Sequence, residues 1–205
     1  MHALIVLSHP ASTSLCHEIA RRVGQGITHS GSGNTFEIAD LMAEEFDPRF
    51  SSADFAAHRH RGAPSKDVVA EQERIDRSDA LVLVFPVYWW AMPGLLKGWI
   101  DRVFANGWAY DDSGEKVIKK LGHLPIHLVG IGGADIGTYE RHNYLAAMKA
   151  QIDHGIFDYC GAPVVTSELL LQSDEPDQSV NLTAAKVIGR SVFPASVERG
   201  SGDTI

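Results

Sequence analysis

Two short segments constrain this chain more than any others. Ala3–Leu7 (ALIVL) and Ala80–Phe85 (ALVLVF) are apolar at every position. A strand with one wet face alternates apolar and polar residues. A strand apolar throughout is covered on both faces, as in a parallel sheet flanked by helices. Three further segments have strand character: Thr35–Ala39, Leu124–Ile131 and Ala162–Leu171. Between them lie helical patterns at Ser14–Ile27, Asp67–Arg77, from Pro93 to Phe104, at Tyr144–Gly155 and at Thr183–Phe193. Leu15, Ile19, Val23 and Ile27 give the first its apolar stripe, and Leu95, Leu96, Trp99, Ile100, Val103 and Phe104 give the third. Asp40–Pro64 reads as a long polar loop with a helical turn near Asp54–His58, and Val197–Ile205 as a frayed tail.

Strands alternating with helices predict an α/β three-layer sandwich with a five-stranded parallel sheet. At 205 residues the expectation is one domain spanning 1–205. With 44% hydrophobic and 21% charged residues the composition is that of a globular chain able to bury a full core. Eighteen basic against 26 acidic residues, net −8, argue against a nucleic-acid partner. No apolar run reaches membrane-spanning length, and the start of the chain reads as a strand rather than a signal peptide, so the expected compartment is the cytoplasm. Two cysteines, Cys16 and Cys160, exclude a disulfide framework, and no ligand spacing suggests a metal centre.

In a parallel α/β sheet, ligands bind beyond the carboxyl ends of the strands. Three segments stand there. Ser8–Ser14 (SHPASTS) leads from the first strand into a helix, whose free N–H groups with His9, Thr13 and Ser14 form an anion site. A bare N-cap is the simpler reading of the same residues. The segment has neither GxxxxGK[ST] nor GxGxxG. Pro86–Gly94 sets Tyr88, Trp89 and Trp90 between two prolines, which suits a flat ring or equally a packing surface. Gly130–Gly137 is a Gly-rich turn that lets backbone approach a ligand, with Tyr139 and His142 just beyond it.

Together these segments resemble one family, the flavodoxin-like NAD(P)H:quinone oxidoreductases of the DT-diaphorase type. The related bacterial modulator-of-drug-activity and potassium-efflux ancillary proteins share the resemblance. The matching text is ALIVLSHPASTS from Ala3, DVVAEQE from Asp67 and FPVYWWAMPGLLKGWIDRVFANGWAY from Phe85 to Tyr110, and it covers about residues 2–170. The resemblance implies a flavodoxin-like fold with strand order 2-1-3-4-5. It implies a tightly bound flavin, FAD or alternatively FMN, and two-electron hydride transfer from NAD(P)H through that flavin to a quinone.

Carried over residue by residue, His9, Thr13, Ser14, Leu15 and Cys16 would surround the flavin phosphates. Pro86, Val87, Tyr88, Trp89 and Trp90 would frame the isoalloxazine. Gly132 and Gly133 would lie at its pyrimidine edge, with Tyr139, backed by His142, as the catalytic donor. Cys16 replaces the family's usual Asn, and Gly130-Ile131 its Thr-Thr. The Asp47–Pro64 loop resembles the adenine-side loop of FAD-binding relatives and favours FAD. The resemblance also implies a homodimer with shared sites, and Trp108 and Tyr110 are expected at its interface. Three rival readings stay open: a flavodoxin-type electron carrier, a flavin-binding regulatory subunit with a transporter partner, and a pyridine-nucleotide enzyme without flavin.

Overall fold

The computed structural model describes residues 1–174 and 177–194; the expected frayed tail lies outside them. β1 (His2–Leu7), β2 (Thr35–Asp40), β3 (Ala80–Pro86), β6 (Ile126–Gly132) and β7 (Val164–Leu171) form one sheet in the order β2-β1-β3-β6-β7. All four pairings are parallel. Two-residue strands β4 (Tyr110–Asp111) and β5 (Ile118–Lys119) make a separate antiparallel ribbon. Counting only the five sheet strands, the order is the expected 2-1-3-4-5. The two runs apolar at every position are both interior strands: Ile5 stands between Ile38 on β2 and Val82 on β3. β3 and β6 are buried along their whole length, whereas β7, at the edge, is half wet.

Helices cover both faces. On one, α1 (Leu15–Ser30) and α7 (Ser179–Val192) lay Ile19, Val23, Ile27, Ala185 and Ile188 against Ile5, Val82 and Val129. The two helices approach closely at Gly26 and Gly189. A Cβ on Gly189 would stand 2.0 Å from the Val23 carbonyl, so only glycine fits. On the other face, α3 (Lys66–Asp76), α4 (Gly94–Val103) and the segment Ala150–Asp158 enclose a core around Trp99, Phe104 and Phe157.

The structure departs from the sequence expectations in three places. The polar Asp40–Pro64 stretch holds a full helix, α2 (Ser52–His58), closed by a capping box between Ser51 and Asp54. The stretch is pinned by Arg102 of α4, which is only 6% exposed. Its guanidinium donates to Asp54 at 3.1 Å, Asp67 at 2.7 Å, the Ser65 hydroxyl at 3.0 Å and the Asp47 carbonyl at 2.8 Å. The helix expected over Tyr144–Gly155 is α6 (Tyr144–Lys149) running on as a π-helix over Ala150–Asp158, and a further short helix, α5 (Ile136–Arg141), precedes it. Finally, Trp108 and Tyr110 are not an exposed pair. Trp108 packs edge-on to Phe104 at 5.7 Å and donates through Nε1 to Asp76, while Tyr110 packs on Tyr159 at 5.2 Å. Both belong in part to the chain's own core.

Candidate functional site

The connections after β1 and β3 leave toward opposite faces of the sheet, which is where an open α/β sheet forms its ligand crevice, and the carboxyl end of β6 adjoins that of β3. Each loop begins as a short extension of the ladder: Ser8 donates to the Val84 carbonyl at 3.3 Å, Val87 to Ile131 at 2.8 Å and Gln172 to Gly132 at 2.9 Å. These bonds hold His9, Leu15, Cys16, Pro86, Val87, Tyr88 and Gly133 around one cleft of about 220 Å³, with Ile131 and Gln172 completing it. Seven of the fourteen residues singled out from the sequence therefore line a common cleft.

The first loop delivers the N-terminus of α1. Ser14 is its N-cap and accepts from the His17 amide at 3.4 Å. The His9 ring nitrogen Nδ1 lies 3.0 Å from the Ala11 amide and 3.2 Å from the Ala11 carbonyl, which fixes the ring over the loop. Thr13 is exposed beside it. Cys16 is buried, and burial pushes its thiol up to about 12, so it stays protonated and contributes shape rather than charge.

The second loop is a two-residue reverse turn. Tyr88 and Ala91 exchange N–H···O bonds of 3.1 Å each way. Trp89 and Trp90 between them have φ of 51° and 59°. This is the turn type that hairpins normally make with Asn-Gly. Two bulky residues in the left-handed region cost about 1–3 kcal/mol each, a strain that accumulates at ligand sites. The turn drives the two rings apart. Trp89 is 92% exposed, while Trp90 stacks on Tyr144 with centroids 3.9 Å apart and planes at 10°.

The third loop places Tyr139 against that turn, edge-on to Trp90 at 5.1 Å. Tyr139 is buried, and burial raises its pKa, so its hydroxyl remains a proton donor. A Cβ on Gly132 would lie 2.6 Å from the Tyr139 hydroxyl, so that glycine makes room for the ring. Among the described residues, Gly133 has nothing within 4 Å of its Cβ position and leaves its backbone open to a ligand. His142 does not stand behind Tyr139. It is exposed and stacks on Tyr144 at 5.2 Å. Sequence reasoning missed Tyr144, whose stacking partner lies 54 positions earlier by chain numbering. It also missed His17 and Asp40, paired at 2.9 Å behind Ser14.

A larger groove of about 590 Å³ runs between β7 and α7, lined mainly by aliphatic side chains such as Leu170, Val180, Val187 and Ile188. It lies on the flank of the sheet, away from the three loops, and offers few directional donors.

Residues 1–188 match the flavodoxin-like fold family. The chain belongs to that family. An uncharacterised NAD(P)H oxidoreductase of Haemophilus influenzae is 29% identical over 170 residues, 82% of this chain and 83% of the relative. A rat NAD(P)H dehydrogenase [quinone] is 28% identical over 191 residues, 82% of this chain and 68% of the relative. The solved structure of an NAD(P)H:quinone oxidoreductase from Methanothermobacter marburgensis superposes with a TM-score of 0.86 at 26% identity, covering 94% of this chain and 99% of the other. The DT-diaphorase-type resemblance and the flavodoxin-like architecture are thus both found. Among the described residues, no helix is long and apolar enough to cross a membrane.

Proposed function

We propose that this chain is a cytoplasmic flavin-dependent NAD(P)H oxidoreductase that reduces quinone-type acceptors by two electrons. The observation that carries the reading is one cleft bordered by the helix N-terminus at His9, Leu15 and Cys16, by the loop Pro86–Tyr88 and by Gly133, with the buried Tyr139 packed against the same aromatic turn. These are what the three parts of a flavin require. The free amides of α1 with His9, Thr13 and Ser14 suit the phosphate. The Tyr88–Ala91 turn and the open backbone of Gly133 suit the flat ring. A neutral Tyr139 hydroxyl suits the edge where negative charge gathers. The relatives' own names support both the nicotinamide and the quinone.

When bound, the flavin supplies the capacity to accept a hydride and pass on two electrons. The protein binds, orients and shields. The strained Trp89–Trp90 turn is held by the Tyr144 stack, which keeps the mouth of the crevice open to a second flat molecule. Tyr139 is fixed by Trp90 on one side and Gly132 on the other, so its donor atom is preorganised. His142, lying beyond Tyr144, tunes the surface of the mouth rather than the Tyr139 proton.

FAD is the proposed flavin, on the resemblance of the Asp47–Pro64 loop, and FMN is the alternative. A homodimer is also proposed. Trp89 is an almost fully exposed indole on a fixed turn beside the cleft, and such a surface fits burial against a second copy. Trp108 and Tyr110, expected at that interface, are partly buried in the single chain and keep part of their surface for it. Light scattering tests assembly: a particle of about twice 22.3 kDa is expected, and Trp89→Ala should shift it toward monomer. A fully active wild-type monomer would refute the shared site. Stopped-flow reduction by NADH and NADPH tests the chemistry: Tyr139→Phe should slow flavin reduction more than it weakens flavin retention. Equal rates in the two proteins would remove Tyr139 from its proposed role.

A further inference from the structure

His17 stands on the first turn of α1 and is 8% exposed. Its ring links the loop after β1 to the end of β2 through side chains, beside the backbone ladder that already pairs Leu7 with Asp40. Nδ1 lies 2.8 Å from the Ser14 hydroxyl in the loop after β1, and Nε2 lies 2.9 Å from Oδ2 of Asp40 at the end of β2. The other carboxylate oxygen, Oδ1, accepts from the Met42 and Ala43 amides at 3.1 and 3.2 Å. The remaining titratable neighbours are the His9 ring, edge-on at 6.3 Å, and the Cys16 thiol, which touches Ser14 and stays protonated.

The protons in this chain can be counted. An ionised carboxylate only accepts, so Nε2 of His17 carries a proton. In the neutral ring Nδ1 is then bare, and the Ser14 hydroxyl must donate to it. Ser14 has one hydroxyl proton, and one of its lone pairs already accepts from the His17 amide. With that proton committed to Nδ1, Ser14 can offer an arriving anion only a lone pair. One added proton reverses the direction. Nδ1–H donates to the hydroxyl oxygen, both lone pairs are occupied, and the hydroxyl proton turns outward. The count is the same if the added proton resides on Asp40, because Nε2 then accepts and Nδ1 again carries the hydrogen. A donating Ser14 therefore needs one more proton on the His17–Asp40 pair than an accepting one.

We propose that His17 is a positioning residue for the flavin phosphate, and that phosphate binding at Ser14 draws one proton onto the His17–Asp40 pair. This rests on the assignment of the Ser8–Ser14 loop to flavin phosphate. The linkage makes flavin affinity depend on pH, and the cofactor in turn changes the protonation of a pair that it does not itself touch.

The test is calorimetric titration of apoprotein with FAD, or with FMN if that is the flavin the protein retains. It is run at pH 8 in two buffers of different ionisation enthalpy and repeated across pH. The wild type should take up close to one proton per flavin, and its affinity should fall by up to tenfold per pH unit in the alkaline range. His17→Asn keeps a non-titrating amide donor toward Ser14. It should bind flavin with no proton uptake and a flat pH profile. Ser14→Ala should lose the uptake as well, and riboflavin, which lacks phosphate, should bind wild type without it. A purely structural His17 would weaken binding equally at every pH. Tight binding of flavin by wild type with no proton exchange overturns the inference and leaves the proposed function standing. So does uptake that persists in Ser14→Ala or with riboflavin. Failure of the wild type to bind any flavin overturns the proposed function and the inference with it.

Discussion

His127 offers a quantitative check on the interior of the sheet. It sits on β6, 1% exposed, with Nδ1 at 2.9 Å from the Thr166 hydroxyl and Nε2 without a hydrogen-bond partner among the described residues. Burial lowers its pKa from the ordinary 6.5 to about 4. The folded protein therefore holds this ring neutral in a range where the unfolded chain protonates it. Between about pH 6.5 and pH 4 the unfolded state binds more protons, so stability rises with pH and is lost on acidification. For this one group, the loss is about 2 kcal/mol by pH 5 and about 3 kcal/mol by pH 4. That is a large share of a total stability of about 5–15 kcal/mol. The perturbation is His127→Gln, which removes the titration while keeping a polar group near Thr166. Urea unfolding of the apoprotein at pH 7, 6, 5 and 4 gives the assay, and the comparison is the difference in pH slope between the two proteins. The variant should lose about 2 kcal/mol less than wild type between pH 7 and pH 5. Parallel slopes would show that His127 is not held neutral by burial, and would refute the reasoning.

Other sites give checks of a different kind. Gly132→Ala places a methyl 2.6 Å from the Tyr139 hydroxyl and 2.8 Å from Leu171. Such overpacking costs about 1–3 kcal/mol, and by displacing Tyr139 it should depress flavin reduction more than flavin retention; an unchanged reduction rate would contradict the placement of that ring. Arg102→Met leaves the Asp54 carboxylate, 2% exposed in its side chain, without its guanidinium partner. Breaking a buried pair costs about 3–5 kcal/mol, so thermal unfolding should come earlier and limited proteolysis should cut within 47–65; an unshifted melting temperature would refute the pinning role.

The sheet was legible in the sequence because its central strands are apolar on both faces, a pattern few other structures tolerate. Ala3–Leu7 and Ala80–Phe85 therefore led directly to a parallel sheet and to the end of it where ligands bind, while the strand order came from the family resemblance. What stayed hidden depends on partners distant along the chain. His17 gave no signal because its acceptor, Asp40, arrives at the end of the next strand. The inward contacts of Trp108 could not be read because Asp76 and Phe104 come to it from two other elements. Arg102 gave no sign of holding the Asp40–Pro64 stretch, since its carboxylates sit 48 and 35 positions away. In the crevice, residue types were readable but directions were not. The left-handed turn at Trp89–Trp90 sends one indole outward and the other onto Tyr144, and neither residue advertises a positive φ.

The central claim is that the crevice at the ends of β1, β3 and β6 binds a flavin used to oxidise NAD(P)H. The most direct measurement is to purify the protein, denature it, identify any released flavin by mass, and assay the native protein with NADH and NADPH against a benzoquinone. The account predicts a yellow protein with one flavin per chain, FAD on the proposed reading, and turnover of quinone dependent on a nicotinamide. A colourless protein that neither takes up FAD or FMN nor oxidises either nicotinamide would contradict it.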